Sequence, residues 1–337
     1  MTTNGTARAW VDVDLSALVA NARTVAERSQ SRLLPMVKAN GYGLGAVPVA
    51  RALEAVDPWG FGVATPEEGA ELRAAGIVRP IVVFTPFLPA WREACLAARL
   101  TPAIGDPLAL LAWRDTGRPF HLEIDTGMSR GGVRWDDHAA LDAVAVALRA
   151  GAPCEGLFTH FHSADTDAAA TDLQWLRFQE ALRALPARPA LVHVANSAGA
   201  LRGPRFGADL VRPGIFLYGG AAGEVPRPVA ALRARVVAVR RLAAGDTASY
   251  GASFRAARPT TIATLGIGFA DGLLRSLSGR GRAEHAGRVV RFAGRVTMDM
   301  TLIDVGSRAI APGDVVTVWG GKVTLDAQAA AARTIGY

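Results

Sequence analysis

Over the first two-thirds of this 337-residue chain, short apolar runs alternate with longer runs rich in Ala, Leu and Arg. Strand-like runs fall at 33–37, 61–64, 81–84, 101–104, 120–124, 155–159, 190–194 and 208–211. Helical patterns lie between them at 46–54, 66–75, 90–98, 107–114, 137–149 and 171–185, with a short one near Ala198. Eight strands alternating with helices in this way are the pattern of parallel βαβ units. That many units in so short a stretch fit a closed eight-stranded α/β barrel better than an open sheet. An open dinucleotide-binding sheet would carry a Gly-rich phosphate loop at its first strand-to-helix turn. Here that turn reads Asn40-Gly41-Tyr42-Gly43-Leu44-Gly45, which has glycines but not the required spacing.

The texture changes near Arg227. Runs at 231–239, 260–265, 289–292, 301–305 and 315–319 are strand-like, and only 325–333 looks helical. The predicted organisation is an α/β barrel over 10–226 and a mostly β domain over 227–337, joined near Pro226 and Pro228. An early strand at 9–13 precedes a helix at 14–27. It has no place in an eight-stranded barrel, so residues 1–13 are expected to add a strand to the β domain.

No apolar stretch reaches the ~18 residues of a membrane span, and residues 1–10 lack a signal-type apolar run. The expectation is a soluble cytoplasmic protein. Two cysteines, Cys95 and Cys154, are too few for a disulfide framework or a cysteine metal cluster. The net charge is +7, but the basic residues are dispersed and not interleaved with aromatics. Neither nucleic acid nor a membrane is expected as a partner. Of 37 basic residues only Lys38 and Lys322 are lysines. A lysine kept in so arginine-rich a chain draws attention, because arginine cannot supply a deprotonatable amine.

Active sites of such barrels lie at the C-terminal ends of the strands. That rule selects Lys38, Glu123, Asp125, His160, His193, Asn196, Ser197 and Arg212. Burial beside Met36-Val37 would depress the Lys38 amine and make it a nucleophile; the plainer alternative is a cation snorkelling from a strand end. Lys322, after Gly320-Gly321, reads as a solvated charge. His160 and His162 share one strand face, but no third metal ligand is in evidence, so no metal is expected. His193 reads equally as a support for the site or a core histidine. Asp271 and Asp299 read equally as turn residues.

Eight ordered blocks then point one way: Val37-Lys38-Ala39-Asn40-Gly41-Tyr42-Gly43; His121-Leu122-Glu123-Ile124-Asp125-Thr126-Gly127-Met128-Ser129-Arg130; Thr159-His160-Phe161; His193-Val194-Ala195-Asn196-Ser197-Ala198; Arg212-Pro213-Gly214-Ile215-Phe216-Leu217-Tyr218-Gly219; Ser249-Tyr250-Gly251; Gly268-Phe269-Ala270-Asp271-Gly272; and Gly294-Arg295-Val296-Thr297-Met298-Asp299. In these blocks the chain resembles the alanine racemase family, pyridoxal-phosphate enzymes with a barrel followed by a β domain.

The resemblance implies a homodimer with shared active sites and a small amino acid as substrate. Lys38 would carry pyridoxal 5'-phosphate as a Schiff base and act as one catalytic base; Tyr250, reaching over from the other subunit, would be the second. Tyr42, Ser197 and the backbone N–H groups of Gly214 and Ile215 would hold the phosphate, with Asn196 beside them. Arg212 would face the ring nitrogen, and His160 would lie against the ring. Arg130 and the Met298 amide would hold the substrate carboxylate, with Glu123, His193 and Asp299 in support. The chemistry is coherent: an arginine stays protonated and leaves the ring a weak electron sink, which suits racemisation. A tyrosine, with a pKa of about 10, needs nearby positive charge to act as a base.

The chain departs from the family pattern at a few positions. Glu123 stands where the family usually has a lysine, carbamylated in many members, and its permanent charge is expected to hold Arg130. Phe269 stands in place of a tyrosine and Leu44 in place of a histidine. The family usually continues past Gly336-Tyr337 into a segment bearing another tyrosine. Alternatives left open are racemisation of serine or another small amino acid, a decarboxylase on the same scaffold, and a non-catalytic cofactor-binding protein. Arg212 argues against the decarboxylase, and the β domain argues against barrel-only carriers.

Overall fold

A run such as Phe61-Gly62-Val63 offers no polar side chain to water, so it persists as a strand only when covered on both faces. The computed structural model, which describes residues 6–336, covers it by parallel pairing. Strand β1 (Ala9–Val13) leads into the helix Leu15–Ser29. There follow β2 (Arg32–Leu33), β3 (Phe61–Val63), β4 (Ile81–Val83), β5 (Thr101–Ile104), β6 (Phe120–Asp125), β7 (Val133–Arg134), β8 (Cys154–Phe158), β9 (Leu191–His193) and β10 (Leu210–Val211). Strands β3-β4-β5-β6-β8-β9 form one parallel sheet, β7 adds to β6, and β10 pairs with β2. Parallel bridges Met36–Gly62 and Asn196–Arg212 link the β2/β10 pair to the two ends of that sheet. Every residue of β3, β4, β5, β6, β9 and β10 is buried.

The chain divides into two compact units. One comprises Leu15–Tyr218 and Ala222–Pro226; the other takes in β1, Gly219–Ala221 and the chain from Arg227 on. Residues 1–5 and Tyr337, which the sequence reading gave to the β domain, lie outside the described residues. No described helix is long and apolar enough to cross a membrane.

Helices of the first unit start where the sequence supplies caps. Asp106 accepts from Ala109 N–H at 2.8 Å, and Asp137 from Ala140 N–H at 3.0 Å. Asp167 does the same for Ala170 at 2.9 Å, so that helix spans Ala168–Ala184 and starts earlier than the expected 171–185. The first strand is shorter than expected because Pro35, with no N–H, interrupts the ladder.

Past Lys38 the backbone turns left-handed. Ala39, Asn40, Gly41 and Tyr42 have φ of 53°, 53°, 62° and 54°. This conformation costs roughly 1–2 kcal/mol per non-glycine residue. The turn is held by specific contacts. Asn40 Oδ1 accepts from Ala46 N–H at 2.9 Å. Glu68, in the helix Pro66–Ala74, accepts from Ala39 N–H and from Ala64 N–H, each at 2.7 Å. One carboxylate thus ties the residue after Lys38 to the end of β3.

In the second unit β11 (Ala230–Leu242) is followed by β12 (Thr247–Ala248), β13 (Phe254–Arg255), β14 (Thr260–Leu265), β15 (Arg282–His285), β16 (Arg288–Phe292), β17 (Thr301–Gly306) and β18 (Val315–Trp319), then the helix Leu325–Ala332. The antiparallel order is β1-β11-β14-β17-β16-β15-β18, and β18 pairs back onto β11. Val236, Leu265, Phe292, Ile303, Val316 and Val318 are in its core. Strand β15 escaped the sequence reading because Arg282-Ala283-Glu284-His285 buries only Ala283 fully.

Replacing Glu68 by Ala removes the carboxylate that gathers two backbone donors. We expect a loss of about 1–3 kcal/mol in urea unfolding, with Glu68→Gln intermediate. An unchanged midpoint in both variants would contradict the clamp.

Candidate active site

The N-terminus of the helix Ser197–Leu201 builds one side of the site. Ser197 Oγ accepts from Gly214 N–H at 2.9 Å and from Phe216 N–H at 3.4 Å, which leaves its own proton free to donate. Ile215 N–H, between those two amides, has no acceptor among the described residues. A Cβ on Gly214 would collide with the Tyr42 hydroxyl, so the glycine is what lets that ring lie over the loop. Tyr42 in turn stacks on Tyr218, with ring centroids 4.3 Å apart, and Tyr218 Oη donates to Met36 carbonyl at 2.8 Å. A hydroxyl, a second hydroxyl and an unpaired amide around a small cradle form a donor set suited to a phosphate. Asn196 is spent on structure: its side chain caps Gly199 N–H at 3.0 Å and donates to Phe161 carbonyl at 3.2 Å.

Arg212, buried to 3% exposure, points its guanidinium into a ring of acceptors. Nη1 donates to His193 carbonyl at 2.5 Å and His193 Nδ1 at 2.8 Å. Nη2 donates to Thr159 carbonyl at 2.6 Å and Val194 carbonyl at 3.2 Å, and lies 3.4 Å from His160 Nδ1. Nε–H has no acceptor among the described residues, so it is the donor left for a ring nitrogen. Burial pushes this guanidinium down to about 9, with Glu123 opposing, so it stays charged at neutral pH.

Lys38 is half-buried at the head of the left-handed turn. Burial lowers its pKa first and the charge of Arg130 second, while Glu68 pulls the other way. Both lowering causes favour the neutral, nucleophilic amine. Arg130 also acts on His160 and Arg212, so these four cationic or basic groups share one field. His160 is pushed down to about 3 by burial, Arg212, Arg130 and Lys38, in that order, and is a neutral ring. Buried Gln174 fixes its backbone, donating to His160 carbonyl at 3.0 Å and accepting from His162 N–H at 3.0 Å. His162 turns outward to Ser163 Oγ at 2.7 Å, and no cluster of metal-ligating residues occurs among the described residues.

Glu123 does not grip Arg130 directly; no ion pair joins them among the described residues. Its carboxylate lies against Gly131 and Gly105, and burial raises its pKa while Arg212 and then Arg130 lower it. The two residues interact by charge only. Asp125 shapes the adjoining loop, accepting from Gly127 N–H at 2.9 Å and Ser129 N–H at 3.0 Å.

The remaining expected site residues belong to the second unit. Tyr250 is 71% exposed and Met298 56% exposed. Met298 N–H has no acceptor among the described residues. Asp271 and Asp299 flank Arg8, at 2.6 Å and 3.9 Å. Lys322 Nζ donates to Gly287 carbonyl at 2.5 Å. Sequence reasoning missed Glu68 and Tyr218. The Thr65-Pro66-Glu67-Glu68 spacing is a capping-box signature that could have flagged Glu68, though its carboxylate binds elsewhere.

His121, His160 and His193 are all pushed below the ordinary value of 6.5, by burial first in each case. The unfolded chain therefore takes up protons before the folded one. Stability is expected to fall as pH drops below ~6.5, by up to ~1.4 kcal/mol per pH unit for each histidine still neutral in the fold. Unfolding midpoints measured from pH 7.5 to 5 test this, and a flat profile would contradict it.

Comparison with known proteins shows the family. Residues 13–222 match the model of the alanine racemase N-terminal domain, and residues 229–337 match that of the C-terminal domain. An alanine racemase of Acidiphilium cryptum is 40% identical, over 96% of this chain and 93% of its own length. One from Deinococcus radiodurans is 38% identical, over 93% and 90%. The crystal structure of alanine racemase from a D-cycloserine-producing Streptomyces lavendulae superimposes with a TM-score of 0.91 at 33% identity, covering 98% of this chain and 93% of that one. Alanine racemase from Bartonella henselae with covalently bound pyridoxal phosphate gives 0.90 at 30% identity, covering 98% and 95%. Both domains match, and the relatives align over nearly the full length: the chain belongs to the alanine racemase family.

Proposed function

We propose that this chain is a pyridoxal-phosphate enzyme that interconverts L- and D-alanine, working as a homodimer. The observation that carries the reading is Arg212. It is a buried, charged guanidinium whose Nη donors are taken and whose Nε–H is open, and its charge acts on the same His160 ring as a lysine amine that burial depresses. The strands β2, β3, β4, β5, β6, β8, β9 and β10 are read as one closed eight-stranded barrel with Lys38, His160, Ser197 and Arg212 beyond their C-terminal ends.

The residues present fit the cofactor. Ser197 Oγ, Ile215 N–H and Tyr42 Oη would hold its phosphate, Arg212 its ring nitrogen, neutral His160 its ring face, and Lys38 Nζ its aldehyde carbon. When bound, pyridoxal phosphate withdraws electrons from the substrate's Cα and acidifies the hydrogen there. Arg212, charged at neutral pH, would hold the ring nitrogen as an acceptor and keep that withdrawal modest. A modest sink disfavours proton delivery anywhere but Cα. Lys38 Nζ takes or returns the Cα proton on one face; the partner's Tyr250 does so on the other. Arg130 pairs with the substrate carboxylate, and its exposed position at the mouth suits an incoming anion. The exposure of Tyr250 and Met298 on the second unit is in keeping with their use by another copy. An acid opposite the ring nitrogen would suit decarboxylation, and Arg212 is the reverse of that.

Incubating the cofactor-loaded protein with L- or D-alanine in deuterated water tests the reading. We expect deuterium at Cα together with loss of optical purity; carbon dioxide release, or exchange with full retention, would overturn it. For the two-base assignment, Tyr250→Phe is expected to slow α-hydrogen removal from one enantiomer by roughly 100-fold or more, and from the other far less. Small, equal losses for both enantiomers would contradict it.

A further inference from the structure

Behind Arg212 lies a file of buried nitrogen atoms that the proposed mechanism does not use. His193 Nδ1 accepts from Arg212 Nη1 at 2.8 Å. His193 Nε2 lies 2.8 Å from His121 Nδ1. His121 Nε2 lies 3.5 Å from the carboxylate of Glu155, which is 35% exposed; this is a charge contact, and Nε2 has no hydrogen-bond acceptor among the described residues. Both imidazoles have no accessible surface. The file is walled by aromatic rings. Phe158 stacks on His193 at 5.0 Å and 7°, Phe84 meets His193 edge-on at 6.1 Å, and Trp59 lies 5.7 Å from His121. Gly156 leaves room for the His121 ring, because a Cβ there would stand 2.6 Å from it.

The proton positions follow from what Arg212 lacks. A guanidinium has donors only, so His193 Nδ1 must present a lone pair and His193 carries its proton on Nε2. That proton points at His121 Nδ1, which must therefore accept, so His121 carries its proton on Nε2, facing Glu155. A second proton on either ring would set N–H against N–H in a dry box. Burial and the charge of Arg212 act in the same direction on both rings, with Glu155 alone opposing at His121.

We propose that His121 and His193 form a one-way hydrogen-bond relay, oriented at its outer end by the charge of Glu155, that fixes the plane of Arg212 and leads its polarisation to the edge of the unit, making His121 and Glu155 positioning residues for the reaction. Arg212 then keeps Nη1 engaged and Nε–H aimed outward. The consequence for turnover rests on the reading of Arg212 given above, whereas the tautomers do not.

Two-bond 1H–15N spectra of the cofactor-loaded protein at neutral pH read the tautomers directly, without any variant. We expect His121 and His193 each to carry one proton, on Nε2. A proton on Nδ1 of either ring, or two protons on either, would overturn the relay whatever the enzyme catalyses. His121→Asn places an amide oxygen near the lost Nδ1 acceptor; it is expected to keep the His193 tautomer and most of the turnover. His121→Phe fills the box without an acceptor; it is expected to disturb the His193 signals and lower kcat at least about tenfold with KM little changed. Wild-type kcat and unshifted His193 signals in His121→Phe would equally overturn the proposal. Intact tautomers in a protein that fails to racemise would instead count against the functional reading alone.

Discussion

A guanidinium with 3% of its surface exposed must find acceptors for its N–H groups inside the protein, because water cannot supply them. Around Arg212 that requirement draws three carbonyls from two strand ends. Thr159 follows β8, His193 closes β9, and Val194 lies just past it; each gives a carbonyl to the same side chain. The acceptors can converge only if the strands are parallel and in register, as the β8–β9 ladder provides. The fold thus fixes the charge, and burial first, with that charge second, keeps His160 and His193 unprotonated.

The second organising constraint is the left-handed turn after Lys38. Three of its four residues are not glycine, so the conformation stands only because Glu68 and Asn40 over-determine it. The turn brings Tyr42 over Gly214 and onto Tyr218, so the lysine and the phosphate cradle are positioned by one short segment. Local strain and site geometry are here the same feature, and the lysine's lowered pKa follows from where the turn leaves it.

Most of the site was legible in the sequence. Lys38, His160, Ser197 and Arg212 could be picked from strand ends before any family was invoked, because a parallel α/β pattern dictates where chemistry sits. The roles of Tyr250 and Met298 came from resemblance alone, since an exposed tyrosine carries no signal of its own. Three features were hidden for physical reasons. Strand β15 is too polar to read as a strand. Glu68 ties the nearby Ala64 amide to that of Ala39, 29 residues away, and the local capping-box spacing does not encode the second tie. Glu123 is expected to hold Arg130 with its charge, but its carboxylate lies against Gly131 and Gly105 with no ion pair to Arg130 among the described residues, a distance that sequence alone does not measure.

The central claim is that the half-buried amine of Lys38 bears the cofactor. Borohydride reduction of the cofactor-loaded protein, followed by peptide mapping, tests it most directly, since the chain offers only one other lysine, Lys322. The account predicts one pyridoxyl group per chain, on Lys38. A label on Lys322, or none, would contradict it.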